Sequence, residues 1–213
     1  MNLLPNQEKA LTKQLPNKVG ALFMKMGTGK TRVAIELVNA VPEIDLVVWI
    51  GPLRSIKPIA ENIPSVKDEI AKWGGFRCKN VIYVGVETIQ SSDRTYLKLY
   101  NEINRTLNTF IVVDESIKIK NHDAKRTQRL LELSKMAEYK LILNGEPITR
   151  DLLDIWAQFQ FLDPEILNMP LSEFKNTFCK YTTVTKRFGS WKEYSVSYLG
   201  RQIRCQYARI AVP

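Results

Sequence analysis

Met26-Gly27-Thr28-Gly29-Lys30-Thr31 follows directly on the apolar run Val19 to Met24, and about eighty residues later the run Phe110-Ile111-Val112-Val113 ends in Asp114-Glu115. The first stretch is a glycine-rich turn whose backbone N–H groups can face phosphates, followed by a lysine for the terminal phosphates and a hydroxyl for Mg²⁺. The second carries two carboxylates out of a buried strand. Asp114 suits the Mg²⁺ shell and Glu115 the attacking water, because phosphoryl transfer is catalysed mainly by positioning and charge stabilisation. Either stretch alone arises in ordinary loops. A strand before, a helix after and an acidic pair on a later strand together read as one nucleoside triphosphate site.

Outward from these stretches, short runs rich in Val, Ile and Leu alternate with helical patterns. The expected strands are Val19–Met24, Asp45–Gly51, Asn80–Val84, Thr109–Val113 and Lys140–Asn144, apolar on both faces as a parallel sheet covered on two sides requires. The expected helices are Lys30–Val41, a segment ending at Ser65–Trp73, Ser92–Leu107 and Ala124–Met136. Ser92 is the expected cap of the third, with Leu97, Tyr100, Ile103 and Leu107 as its apolar stripe. Asp151–Phe161 reads as a helix with Leu152, Ile155, Trp156 and Phe159 on one side, stopped by Asp163-Pro164. Ser172 is the expected cap of another, bearing Phe174, Phe178 and Tyr181. Beyond Thr182 the pattern is irregular. The fold that follows is α/β: a three-layer, doubly wound domain around a mostly parallel sheet, with ligands at the carboxyl ends of the strands. Residues 1–165 form that domain and 166–213 a helical or irregular basic extension.

The chain of 213 residues is long enough to bury roughly 70% of its extended surface without a covalent staple. Its net charge is +9, and from Ile166 onward eight basic residues stand against two acids, interleaved with Tyr181, Phe188, Trp191, Tyr194, Tyr198 and Tyr207. That composition fits phosphate contact with stacking, and equally a solvated face over core aromatics. Cys78, Cys179 and Cys205 are widely spaced and His122 is the single histidine, a pattern against a disulfide framework or a zinc site. The opening MNLLPNQEKALTKQL lacks the apolar stretch of a signal peptide, so a cytoplasmic protein without membrane contact is expected.

Read in order, LLPNQ, KMGTGKT, VVWIGPLRSI, VGVETI, VVDESIKIKN, LILNGEPITR and DLLDIWAQFQFLDP resemble the consecutive motifs of the Snf/Swi-type (chromatin-remodeller-like) branch of superfamily 2 helicases and DNA translocases. The phage and bacterial members look closest. DESIKIKN followed by LILNGEPI marks the branch, and the resemblance spans residues 3 to 182. It implies the first, RecA-like, ATP-binding P-loop lobe of a two-lobe motor. Position by position, Gln7 matches the residue that reads adenine, Gly27, Thr28, Gly29, Lys30 and Thr31 the phosphate and Mg²⁺ residues, and Asp114 and Glu115 the metal and water-activating pair. Gly145 and Pro147, in LILNGEPITR, match the backbone of what the family numbers its third motif, which couples hydrolysis to lobe movement in relatives. Arg54, Ser55, Glu87 and Thr88 lie in segments that face nucleic acid.

The departures are Lys25 in place of an acidic residue, Ile117 in place of a polar one, and Glu146 in place of a threonine-like one. Ile117 cannot make the hydrogen bonds by which the fourth residue of the acidic motif reaches the third motif. Glu146, if it faces Glu115, would add a like charge that raises a carboxylate's pKa. In the family, arginines from the second lobe stabilise the transferring phosphoryl group, and such residues are worth about 10³–10⁵ in rate. Nothing after Tyr194 resembles that lobe. The expected function is therefore ATP and Mg²⁺ binding, with DNA-stimulated hydrolysis when a second lobe is supplied. DNA is the expected partner, with RNA open and a replication or recombination protein another. The alternative is a short, non-catalytic nucleic-acid- or protein-binding factor.

Overall fold

The computed structural model describes residues 3–58, 60, 62–149, 152–186, 189–195 and 210–211. Five strands, β1 (Val19–Phe23), β2 (Leu46–Gly51), β3 (Val81–Gly85), β4 (Thr109–Asp114) and β5 (Tyr139–Asn144), lie side by side in the order β3-β2-β4-β5-β1. Every pairing among them is parallel. Parallel strands need crossovers, and the crossovers are helical. In chain order the helices are α1 (Pro5–Gln14), α2 (Lys30–Asn39), α3 (Leu53–Ile56), α4 (Val66–Lys72), α5 (Val86–Ser91), α6 (Asp93–Asn104), α7 (Lys125–Ser134), α8 (Leu153–Leu162) and α9 (Leu171–Phe178).

Strand residues alternate between two cores, as the two-residue side-chain period dictates. Val48, Ile50, Ile111, Val113 and Ile142 pack on one face with residues of α5 to α8. Val47, Trp49, Phe110, Val112, Leu141 and Leu143 pack on the other with α1, α2 and α4. That is the three-layer arrangement the apolar runs call for. Because all five strands point the same way, the segments after β1, β2, β3, β4 and β5 emerge on one rim. The strand β5 stands between β1 and β4, so the glycine turn and the acidic pair are set two strand positions apart.

Several local expectations are corrected. Ser92 does cap α6, accepting from the Thr95 N–H at 3.1 Å. The buried stripe, however, is Leu99 and Ile103 with Tyr96 beside them, while Leu97 and Leu107 are 56% and 88% exposed. The helix stops at Asn104, which leaves Leu107 in a loop, and the core phase passes through i and i+4 from Leu99. Ser172 caps nothing: α9 begins at Leu171 after Pro170. Its Phe174 is fully buried with Trp156 and Ala157 of α8, so these aromatics are core.

The stretch beyond Thr182 is not irregular throughout. An antiparallel pair, β6 (Lys180–Lys186) and β7 (Gly189–Ser195), aligns Val184 with Trp191, and β8 (Ile210–Ala211) joins β1 in parallel. The Thr-Thr-Val-Thr run favours such a strand through its β-branched residues, a local preference that needs no apolar run. The side chains of the basic and aromatic set from Lys180 onward lie outside those described. Among the described residues no helix is long and apolar enough to cross a membrane.

Candidate nucleotide site

The turn after β1 is shaped by two glycines in the left-handed region, Gly27 at φ 79° and Gly29 at φ 83°. A side chain at either position would be strained. Gly29 precedes α2, whose first turn contains Lys30 and Thr31, so the helix adds its partial positive charge to the turn. Lys30 Nζ donates to Met24 O at 2.9 Å and to Lys25 O at 3.2 Å, and Thr28 Oγ1 donates to Lys25 O at 2.7 Å. The loop is closed on its own carbonyls. Met26 at its tip is 89% exposed.

Gln7 reaches this loop from α1. Its Nε2 donates to Thr28 O at 3.0 Å, and its Oε1 accepts from the Leu4 N–H at 3.0 Å. An added Cβ on Gly29 would lie 2.2 Å from that Nε2, so the glycine is needed for the contact as well as for its φ. One donor and one lone pair of the amide remain for a base edge.

Asp114 ends β4 on the same rim. Burial pushes its carboxyl up to about 6; the Glu115 backbone N–H, donated to Oδ1 at 3.0 Å, pulls the other way. The Glu115 charge raises it, the Lys30 ammonium lowers it and Glu69 raises it again. Glu69 of α4, not Glu146, is therefore the second like charge felt at Asp114. Glu115 is exposed and sits at φ 53°, ψ 56°, a left-handed conformation that L residues other than Asn and Asp rarely hold. The 3₁₀ turn Ser116–Ile119 follows it.

The segments after β2 and β3 meet. The Leu53 N–H donates to Glu87 Oε2 at 2.8 Å, and an added Cβ on Gly85 would lie 3.0 Å from Leu53 Cα. Arg54 is exposed on α3, Ser55 donates to Pro52 O at 2.8 Å, and Thr88 is half-buried on α5. Lys118, Lys120 and Lys125 pair with Glu87, Asp154 and Asp93, while Arg126 donates to Lys118 O at 2.6 Å. This basic stretch thus ties the segment after β4 to α5 and α8, and α7 to α6. His122 packs edge-on to Trp156 with ring centres 5.0 Å apart.

Two residues of α8 escaped the reading of the sequence. Gln158 Oε1 accepts from Ser116 Oγ at 2.6 Å, and its Nε2 donates to Pro147 O at 2.9 Å and Asp154 O at 2.6 Å. Asp154 Oδ2 accepts from the Thr149 N–H at 2.8 Å and from Lys120 Nζ at 3.1 Å. The signal was present: Asp154 and Gln158, four apart in the largely apolar LDIWAQFQFL, fall on one face of the helix. Ile117 makes no such link, but Ser116, one residue earlier, reaches the third motif through Gln158. Glu146 is exposed, and its N–H is held by Asn144 Oδ1 at 3.2 Å.

A family model described as the SNF2-related domain matches residues 65–204. Among curated proteins, the ATP-dependent helicase brm of Drosophila melanogaster is 30% identical over 172 residues, covering 70% of this chain and 10% of that protein. Nuclear protein STH1/NPS1 of Saccharomyces cerevisiae is 28% identical over 164 residues, covering 70% and 12%. The chain therefore spans about a tenth of the length of these relatives. Among solved structures, the Sulfolobus solfataricus SWI2/SNF2 ATPase core in complex with dsDNA superposes with a TM-score of 0.65 at 23% identity, over 84% of this chain and 39% of that one. The UvsW helicase from bacteriophage T4 gives 0.54 at 12% identity, over 76% and 58%.

Proposed function

The chain belongs to the SNF2-related domain family, and from that premise we propose that it is an ATP- and Mg²⁺-binding lobe of a DNA-dependent motor. The observation that carries the reading is the convergence on one rim of the Gly27–Thr31 turn with Asp114, whose carboxyl feels the Lys30 charge. The residues fit the group. No atom lies within 4 Å of a Cβ built on Gly27, which leaves the loop's outer side open to phosphates. Lys30 would exchange its two carbonyl partners for phosphate oxygens, and the first turn of α2 would add main-chain donors. Bound Mg²⁺ would supply the charge that neutralises the phosphates. Thr31 and ionised Asp114 would hold the metal, partly through water, and Glu115 would orient or deprotonate the attacking water. Gln7 would turn its remaining donor and acceptor to adenine.

DNA is the proposed polymer, met by Arg54, Ser55 and Thr88 beyond β2 and β3. The contact between Leu53 and Glu87 supports one continuous strand-binding edge there. Residues 1–165 are proposed as the lobe and 166–213 as its extension, with a second lobe required for rapid turnover. The phage or bacterial type is part of the same proposal, and DESIKIKN followed by LILNGEPI marks the Snf/Swi-type branch. Calorimetry on the chain tests the centre of it. Lys30→Ala is expected to weaken Mg²⁺-ATP binding at least tenfold; an unchanged affinity sinks the reading. DNA binding indifferent to both ATP and Lys30 would point to a non-catalytic factor instead.

A further inference from the structure

Gln158 is fully buried in the apolar helix α8, where an amide is costly unless its hydrogen-bonding groups are met. It meets them by reaching two loops at once. Both amide hydrogens are spent, on Pro147 O and Asp154 O, and the carbonyl accepts from Ser116 Oγ. Ser116 itself is fully buried and directly follows Glu115. Pro147 closes the Gly145-Glu146-Pro147 turn after β5. Tilting the amide toward either loop therefore breaks a bond on the other side and orphans a buried group. Because both side chains are fully buried from bulk solvent, the two loops move together or the network fails.

We propose that Gln158 is a positioning residue that locks the turn carrying Glu115 to the Gly145–Pro147 loop, so that a change at one is delivered to the other. The proposal rests on the nucleotide-site reading, which gives Glu115 its task. A second tie runs one helical turn away, from Lys120 Nζ to Thr149 Oγ1 at 2.6 Å and to Asp154. It is nearer solvent, with the Lys120 side chain 28% exposed, so it carries a smaller part of the coupling. Gly145 needs neither tie. A Cβ built on it would lie 3.8 Å from Met24 O and Met26 N, so its amide senses the phosphate loop directly.

Backbone amide NMR on the full chain separates these routes. In the parent, Mg²⁺-ATP is expected to shift Ser116, Gly145 and also Glu146 and Ile148, which flank Pro147. Gln158→Leu keeps the first two responses and loses at least half of the shift at Glu146 and Ile148. Ser116→Ala reproduces that loss, Ser116→Thr restores the response by keeping a hydroxyl, and Ser116→Ala adds nothing in the Gln158→Leu background. If Gln158→Leu only lowers the melting temperature while the ratio of Ile148 to Ser116 response stays at the parent value, the proposal is overturned. Failure of the nucleotide reading looks different: no response at Lys30 or Ser116 in the parent. The bridge is then judged without nucleotide, because Ser116→Ala must itself shift Ile148 in the parent and not in Gln158→Leu. Equal shifts in both backgrounds overturn it.

Discussion

Asp114 and Glu115 each carry a cost that a residue chosen for stability would avoid. The Asp114 carboxyl, raised to about 6 from 3.8 chiefly by burial, prefers its proton in the folded chain. Below the unfolded value both states are protonated and nothing is lost. As pH rises through 4 to 6 the unfolded state releases its proton first, so the folded state loses on the order of 3 kcal/mol, a loss complete above pH 6. Asp114→Asn is therefore expected to raise stability at pH 7.5 by on the order of 1–3 kcal/mol, with the gain fading toward pH 4. Denaturant melts across that range check it. Calorimetry on the same variant should show Mg²⁺ no longer strengthening ATP binding, and parent affinity should climb between pH 5 and 7 as the carboxylate forms. Glu115→Gly removes the left-handed strain at φ 53° and is expected to gain about 1 kcal/mol in the same melts while abolishing hydrolysis. The acidic pair was legible because it ends an apolar run. Its strain and the Glu69 charge were not, since neither leaves a mark in the local pattern.

At the scale of elements, strands β1 to β5 were readable because burial on both faces demands apolar runs, and each of these appears with its ends shifted by one residue at most. The short helices α3 and α5 were not readable. They are too brief for a period and exist because two loops are pressed together, with Gly85 against Leu53. Gly85→Ala would drive a methyl onto Leu53 Cα and Cβ and splay these segments. The expected cost is about 1–3 kcal/mol in stability. DNA affinity should weaken with Mg²⁺-ATP affinity unchanged, measured by titration of each ligand. The bracket from α8 was hidden for a related reason. Gln158 gains its meaning from Ser116, which lies forty-two positions away in sequence.

For the whole molecule, a parallel sheet lets one rim hold the glycine turn, the acidic pair and the segments after β2 and β3, which a chain with hairpin connections would send to alternate ends. That economy has a temporal side. Among the described residues, strand β1 borders β5 and the two-residue β8, and its register joins Val19 to Lys140. During synthesis β1 leaves the ribosome with no partner in existence. It must wait for more than a hundred further residues, on the order of ten seconds at ~5–20 residues per second. A nested series of chains released at Ser134, Asn144 and Phe178 exposes this order. Protease resistance across Val19–Phe23 and retention of Mg²⁺-ATP should be absent in the first and emerge only in the later two; a protected β1 at Ser134 would refute it. A nascent chain in this window presents a bare apolar strand, so any chaperone that shields it has its target at Val19–Phe23. The glycine turn is written more than a hundred residues before β5, the strand that supports it, exists.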